Sequence, residues 1–322
     1  MIRTRPALAL ALVAVAWGSI GVIVRQVHLP AVVIVGSRCW LGAACLAVVR
    51  ARRRHGVAAV AAVAAVAAVA AVDAVVDTAV PDDKRSASPR SASMAPMAAI
   101  ALGLLLAVHW LALVGAQQRA PLGTVLLITY FAPVIATVLA PKVLGEMVPI
   151  RSMGALTMSL AGIALLVRPA HGSGTGMALA IVAAVTYAAM ILGLKLIVRN
   201  VDPLTLTYLQ LTVAGLALAV PAAVADWGTP SWRWLWLVVL GVLLTGATQT
   251  VFVGLLGRLP VSTAGVLTCL EPVSAIVFAW TLLGERPSIA TVVGGIAVLV
   301  AAMMVATAPR PAPSTSEAGV VR

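Results

Sequence analysis

Residues 119–146 read RAPLGTVLLITYFAPVIATVLAPKVLGE, and residues 258–285 read RLPVSTAGVLTCLEPVSAIVFAWTLLGE. Aligned at a shift of 139 positions, both stretches open on arginine, share threonines and prolines, and close on Leu-Gly-Glu. Chance supplies scattered Ala and Val matches between apolar segments, but it rarely aligns Arg, Pro and Gly-Glu at one offset. We therefore infer an internal duplication. The aligned pairs include Arg119/Arg258, Pro121/Pro260, Thr124/Thr263, Thr129/Thr268, Pro133/Pro272, Val134/Val273 and Glu146/Glu285.

The sequence around these copies is too apolar for a water-soluble protein. Of its 322 residues, 62% are hydrophobic and 10% are charged, and the mean hydropathy is +1.08. A soluble domain carries about 25% charged residues. No soluble core could cover so much apolar surface, so we expect lipid to cover it. At roughly 20 residues for each membrane-spanning helix, the chain has room for about ten.

Ten apolar stretches fit this length. The first resembles a secretory signal peptide, but it continues past Trp17 to Val24, so we interpret it as a retained helix. We expect a first repeat at 1–170, a second at 174–308 and a disordered cytoplasmic tail at 309–322. The predicted spans are 6–24, 31–49, 97–116, 122–141, 150–168, 176–197, 204–224, 233–254, 261–281 and 288–307.

The basic residues predict how these spans are oriented. The net charge of +12 comes from short clusters between apolar runs, not from a basic surface interleaved with aromatic residues, so we exclude nucleic-acid binding. With the N-terminus in the cytoplasm, 16 of the 22 Lys and Arg residues lie inside and five lie outside. Arg38 remains within a span. This bias predicts an inner-membrane protein with both termini cytoplasmic.

The segment 57–72 consists of Ala and Val, and it could form an eleventh span. It is short for a span, and an added span would move the basic residues that follow it to the outer side. We therefore interpret residues from about 55 to 95 as a low-complexity cytoplasmic insert.

The predicted repeat unit holds five spans. An odd number means that the second copy enters the membrane from the opposite face. Such inverted repeats are typical of secondary transporters, whose substrate site lies between the halves near the membrane midplane. The fold class that we predict is an all-α membrane protein of ten transmembrane helices in two inverted five-helix repeats.

The residues Trp17-Gly18-Ser19, the two Leu-Gly-Glu units and the five-plus-five layout resemble the EamA family of the drug/metabolite transporter (DMT) superfamily. The resemblance covers residues 6–307 apart from the insert. It implies a carrier that moves a small organic solute such as an amino acid, metabolite or drug-like compound, by alternating access and as an exporter. A lipid-carrier flippase on the same fold is the alternative.

Two charged residues within the spans are the main candidates for a site. A charge there costs about 2.5–3.5 kcal/mol, so it needs a partner or a function. Glu271 directly precedes Pro272, which can break the helix, and it could bind substrate or a proton as coupling ion. Arg38 could hold a substrate carboxylate or pair with Glu271. The alternatives are a carboxylate that caps the kink and an arginine that extends to the interface.

Other polar residues could line the same cavity, although each could equally be a packing residue. These candidates are Trp17, His109, Tyr130, Tyr187, Gln249 and Thr268. Glu146 and Glu285 come just before the fifth and tenth spans, where we expect them to cap free N–H groups, with gating as the alternative. Pro133 and Pro272 belong to the same repeated motif.

Several functional classes lack their motifs in this sequence. There is no GxxxxGK[ST], HExxH or GxSxG, so we expect neither an ATP-driven pump nor an enzyme. The three cysteines have no metal-site spacing. We expect no cofactor and no metal. The expected partners are a small-molecule substrate and the lipid bilayer, in a monomer or homodimer.

Overall fold

A computed structural model describes residues 4–55, 89–166, 173–198, 200–284 and 286–307, and every regular element in these ranges is helical. The Ala-Val segment 57–72, the tail 309–322 and Glu285 lie outside these ranges. The helices are α1 (Thr4–Val27), α2 (Ala31–His55), α3 (Pro89–Gln117), α4 (Leu122–Thr129 and Ala132–Leu144), α5 (Ile150–Leu166), α6 (Gly174–Ile197), α7 (Pro203–Ala223), α8 (Trp232–Trp234, Leu235–Val238, Val239–Ala247 and Thr248–Leu256), α9 (Val261–Thr268 and Leu270–Leu283) and α10 (Ile289–Ala306).

These helices correspond one for one to the ten predicted spans. Nine of the helices in the described ranges are long and apolar enough to cross a membrane. The tenth, α5, is apolar but has 17 residues. Large apolar side chains such as Leu8, Val220 and Met303 are exposed, as expected where lipid is the solvent. The predicted all-α membrane fold is confirmed.

The repeated sequence forms a repeated local structure. Both α4 and α9 are interrupted after one short segment, and Leu122–Thr129 matches Val261–Thr268 at the shift of 139 residues. Each second segment ends at a left-handed glycine, Gly145 at φ 66° and Gly284 at φ 72°. These are the glycines of the two Leu-Gly-Glu units, and glycine is favoured there because it has no Cβ to clash.

The helices of the two halves pack against one another. α1 lies against α9, α6 lies against α4, and α5 lies against α10. α5 and α10 approach so closely that a Cβ on Gly162 would lie 2.7 Å from the Gly294 carbonyl oxygen. Close approach of small residues is the usual means of helix packing in lipid. The pairing of α1 with α9 and of α6 with α4 agrees with a duplication, whereas the inverted orientation of the halves stays a prediction.

Gly18→Val is expected to weaken the α1–α9 contact. A Cβ at Gly18 would lie 2.6 Å from the Ala275 nitrogen and 2.7 Å from the Glu271 carbonyl oxygen, which are backbone atoms that cannot rotate away. We expect a loss of about 1–3 kcal/mol, visible as a lower melting temperature in detergent. Gly154→Ala is the control, because nothing lies within 4 Å of its added methyl. Equal melting of Gly18→Val and wild type would contradict this contact.

Candidate functional site

A cavity of about 100 Å³ lies among α1, α2, α3, α4, α6, α8 and α9. Most of the site residues predicted from sequence line it. Thr268 does not line it. The Thr268 hydroxyl donates to the Gly265 carbonyl oxygen of the same helix at 2.8 Å. Pro133 does not line the cavity either, and it packs against Gly265 of α9. The predicted residues that line the cavity are Trp17, Arg38, His109, Tyr130, Tyr187, Gln249, Glu271 and Pro272.

The interruptions of α4 and α9 bring Glu271 and Tyr130 together. Glu271 lies in the first turn of the second α9 segment, just after the break at Cys269. Tyr130 occupies the break in α4, and its hydroxyl interacts electrostatically with the Glu271 carboxyl group in the same cavity. The first turn of a helix has free N–H groups and favours a carboxylate. Each broken helix therefore contributes one polar group to the cavity at its break.

Arg38 is buried within the bundle, since 5% of the residue is exposed. Its side chain therefore does not extend along the protein surface to the membrane interface. Its Nε donates to the Thr245 hydroxyl oxygen at 3.0 Å, and its guanidinium carbon lies 4.4 Å from the centre of the Trp110 ring. Among the described side chains, no ion pair joins Arg38 to Glu271. Arg38 and Glu271 thus share the cavity without a direct ion pair.

Aromatic side chains form much of the cavity wall. The Trp17 indole donates to the Thr248 hydroxyl oxygen at 2.8 Å. The His109 ring stacks on Tyr187 with centroids 5.0 Å apart. His109 Nδ1 lies 2.9 Å from the Ala183 carbonyl oxygen, and since a carbonyl only accepts, Nδ1 carries a proton. In the described ranges no three His, Cys, Asp and Glu side chains cluster to hold a metal ion.

Two residues that could not be predicted from the sequence hold the site in place: Thr245 binds Arg38, and Thr248 binds Trp17. Thr245 lies in the π-helical part of α8, Val239–Ala247, and Thr248 is the first residue after it. π-helical turns are rare and often occur at functional sites. The small residue Gly241 lets α2 approach here, since a Cβ on it would lie 2.5 Å from the Leu41 Cβ. No sequence motif marks a π-helix, so the apolar sequence of α8 did not indicate that Thr245 and Thr248 belong to the site.

A second, wider cavity adjoins the first. Its volume is about 390 Å³, and both cavities share Gly21 and Gln117 as lining residues. Its other lining residues include Ala120 and Pro121, which directly precede α4. We call this wider cavity the vestibule. It leads from the central cavity toward the membrane face at which α4 begins.

The structure places Glu146 differently from our expectation. We expected it to cap the start of α5, which follows it in the chain. Its Oε2 instead accepts from the backbone N–H of Val261 at 3.0 Å, at the first residue of α9. Its Oε1 lies 2.7 Å from Lys195 Nζ. Because Glu146 follows the end of α4, these contacts lie at the membrane face opposite the vestibule.

This chain is similar to known transporters and to solved structures. An uncharacterized transporter of Archaeoglobus fulgidus is 26% identical over 193 residues, which are 60% of this chain and 70% of that protein. The uncharacterized transporter YxxF of Bacillus subtilis is 26% identical over 207 residues, 61% of this chain and a little under two thirds, 65%, of that protein. A solved crystal structure of 18% identity superposes with a TM-score of 0.69, covering 95% and 97% of the two chains, and shows the fold alone.

The family comparison agrees with these relatives. Residues 174–307, from the start of α6 to the end of α10, match the model of the EamA-like transporter family. The membrane helices, the two transporter relatives and this match point to the same class of protein. The chain is a multi-pass membrane transporter whose residues 174–307 are similar to the EamA-like transporter family.

Proposed function

We propose that the protein is a secondary transporter that carries a small organic solute through the central cavity by alternating access. One observation carries the proposal: Glu271 and Arg38, of opposite charge, line one cavity within the bundle. Burying each charge in a membrane costs several kcal/mol, and they do not neutralise each other directly. A solute with a positive and a negative group could pair with Glu271 and Arg38 at the same time, which would offset the cost of burying the two charges.

The chemistry of the walls supports an amphoteric solute. Glu271 suits an ammonium group, and the planar guanidinium of Arg38 suits a carboxylate. The rings of Trp17, Trp110 and Tyr187 provide an apolar surface for the rest of the molecule and can also contact a cation. A small amino acid or similar metabolite has these groups. The headgroup of a lipid carrier has several negative charges, whereas Arg38 is the cationic residue among those that line the cavity.

The broken helices offer a way to open the cavity on either side. α4 and α9 are interrupted where Tyr130 and Glu271 meet, so each helix can bend at the site itself. The duplicated sequence supports a cycle in which the halves exchange conformations. We expect the proton as coupling ion, since Glu271 can take up and release one. The expectation of export rests on the family resemblance.

A solute-efflux screen tests the proposed function. Cells with and without the chain would be loaded with isotope-labelled amphoteric, anionic and cationic solutes, and the rate of loss would be measured. We expect faster efflux of one or more amphoteric solutes in cells that make the protein. Equal efflux of every class in both cell types would refute transport of such solutes.

Reporter fusions test the proposed orientation. We expect both termini in the cytoplasm of a cell whose inner membrane holds the protein. Fusions of a side-specific reporter at residues 90 and 171 should report opposite faces, cytoplasmic for residue 90. Activity of both fusions on the same side would contradict the ten-span topology.

A further inference from the structure

A second polar cluster lies on the side opposite the vestibule, away from the central cavity. Glu146 joins two partners there, Lys195 Nζ at 2.7 Å and the Val261 N–H at 3.0 Å. Lys195 Nζ also donates to the carbonyl oxygen of Leu259. We refer to the side chains of Glu146 and Lys195 with these two backbone groups as the Glu146–Lys195 cluster.

The burial of this cluster distinguishes it from a surface ion pair. The Lys195 side chain is 2% exposed and that of Glu146 is 17% exposed. Removing one partner of such a pair leaves a charge that water reaches poorly, which is strongly unfavourable. On the same membrane face, Arg53 and Asp202 lie 4.0 Å apart with side chains 35% and 46% exposed. An exposed pair of that kind contributes little.

The cluster connects helices that must separate if the cavity opens on this side. Glu146 follows the end of α4, Lys195 lies in the last turn of α6, and Val261 begins α9. α4 and α9 are the two broken helices that supply Tyr130 and Glu271 to the cavity. One turn after Val261, a Cβ on Gly265 of α9 would lie 2.8 Å from the Pro133 Cβ of α4, so the two helices pack tightly.

We propose that the Glu146–Lys195 cluster is the gate that closes the transporter on the face opposite the vestibule. Its ion pair and its cap on α9 form when the central cavity faces the vestibule and break when the cavity opens to the other side. The proposal rests on the alternating access proposed above. In this proposal Glu146, the glutamate of the first Leu-Gly-Glu unit, holds α4 to α6 and α9 while this face is closed.

The accessibility of two reporter cysteines tests this gate. Cys39, Cys45 and Cys269 are first replaced by alanine. Ala264→Cys then reports on the gate, since Ala264 is 3% exposed and lies one turn into α9. Gln117→Cys reports on the vestibule. Each is labelled with a membrane-impermeant maleimide, in right-side-out and in inside-out vesicles.

Glu146→Gln is expected to shift the two reporters in opposite directions. The amide loses the charge attraction to Lys195, so the open state on that face becomes more populated. We expect labelling at position 264 to rise about fivefold or more, which corresponds to about 1 kcal/mol, and labelling at position 117 to fall. Unchanged labelling, or a rise at both positions as in partial unfolding, would overturn the proposal.

Two further variants make the test robust. Lys195→Met removes the cation of the ion pair, and it should shift both reporters in the same directions as Glu146→Gln. Arg53→Gln, which removes the exposed pair on the same face, should label like the parent protein. A shift of equal size in Arg53→Gln would show a general charge effect and overturn the proposal. Labelling needs no solute, so its failure leaves the proposed substrate class untouched.

Discussion

Glu271→Gln is expected to abolish solute transport while the protein remains folded in the membrane. The amide keeps the size and polarity of the side chain beside Tyr130, so the packing of α4 against α9 should survive. What it loses is the negative charge for an ammonium group and the ability to take up a proton. A buried charged contact is worth several kcal/mol when one partner is removed, so we expect a loss of at least about a hundredfold.

The measurement is initial-rate uptake into proteoliposomes at several pH values, with the amount of folded protein matched by size-exclusion chromatography. Ser274→Ala is the control, because Ser274 lies one turn further along α9 and donates to the Glu271 carbonyl oxygen at 2.9 Å. It should transport at nearly the parent rate. Normal transport by Glu271→Gln at every pH would show that the carboxylate only stabilises the break in α9.

Arg38→Lys is expected to have the second-largest effect, although it preserves the charge. Arg38 is fixed by its bond to Thr245 and by stacking on Trp110, which orient a flat guanidinium. Lysine has neither the planar group nor two parallel donors for a carboxylate. We therefore expect transport to fall about tenfold or more, mainly through a raised KM, because the loss affects binding of the solute.

The KM and maximal rate of Arg38→Lys would be measured in the same proteoliposomes. Thr245→Ala should show a smaller rise in KM, since it loosens the guanidinium without removing it. Arg151→Lys, at an exposed arginine on α5, should behave like the parent protein. An Arg38→Lys protein with parent kinetics would mean that Arg38 stabilises the bundle without binding solute.

The fold could be predicted from the sequence because membrane spans follow local rules. Apolar length predicted the helices, and the duplicated Leu-Gly-Glu units predicted equivalent positions for Gly145 and Gly284. The break in α4 at Tyr130 was not predicted in detail, since the sequence offered only a proline near it. The π-helical stretch of α8 escaped prediction because it depends on packing against α2, to which its own sequence gives no clue.

The two charged residues of the candidate site could be selected from the sequence, because a charge within an apolar span is unusual. The cost of a charge in lipid singled out Glu271 and Arg38 without any knowledge of their neighbours. Their partners depend on contacts between distant helices, so Tyr130 and Thr245 could not be assigned to them from sequence. Glu146 illustrates the same limit. A local rule assigns a capping residue to the next helix in the chain, whereas the tertiary fold brings Glu146 to α9.

Counterflow in proteoliposomes tests whether the cavity carries an amphoteric solute by alternating access. Vesicles filled with an unlabelled amino acid that passes the efflux screen would be diluted into its labelled form, and into labelled N-acetyl and methyl ester derivatives. We predict transient accumulation of the parent solute, and none of the derivatives, which lack one of the two charges. Equal accumulation of the derivatives, or no accumulation above empty vesicles, would contradict the proposed transport of an amphoteric solute.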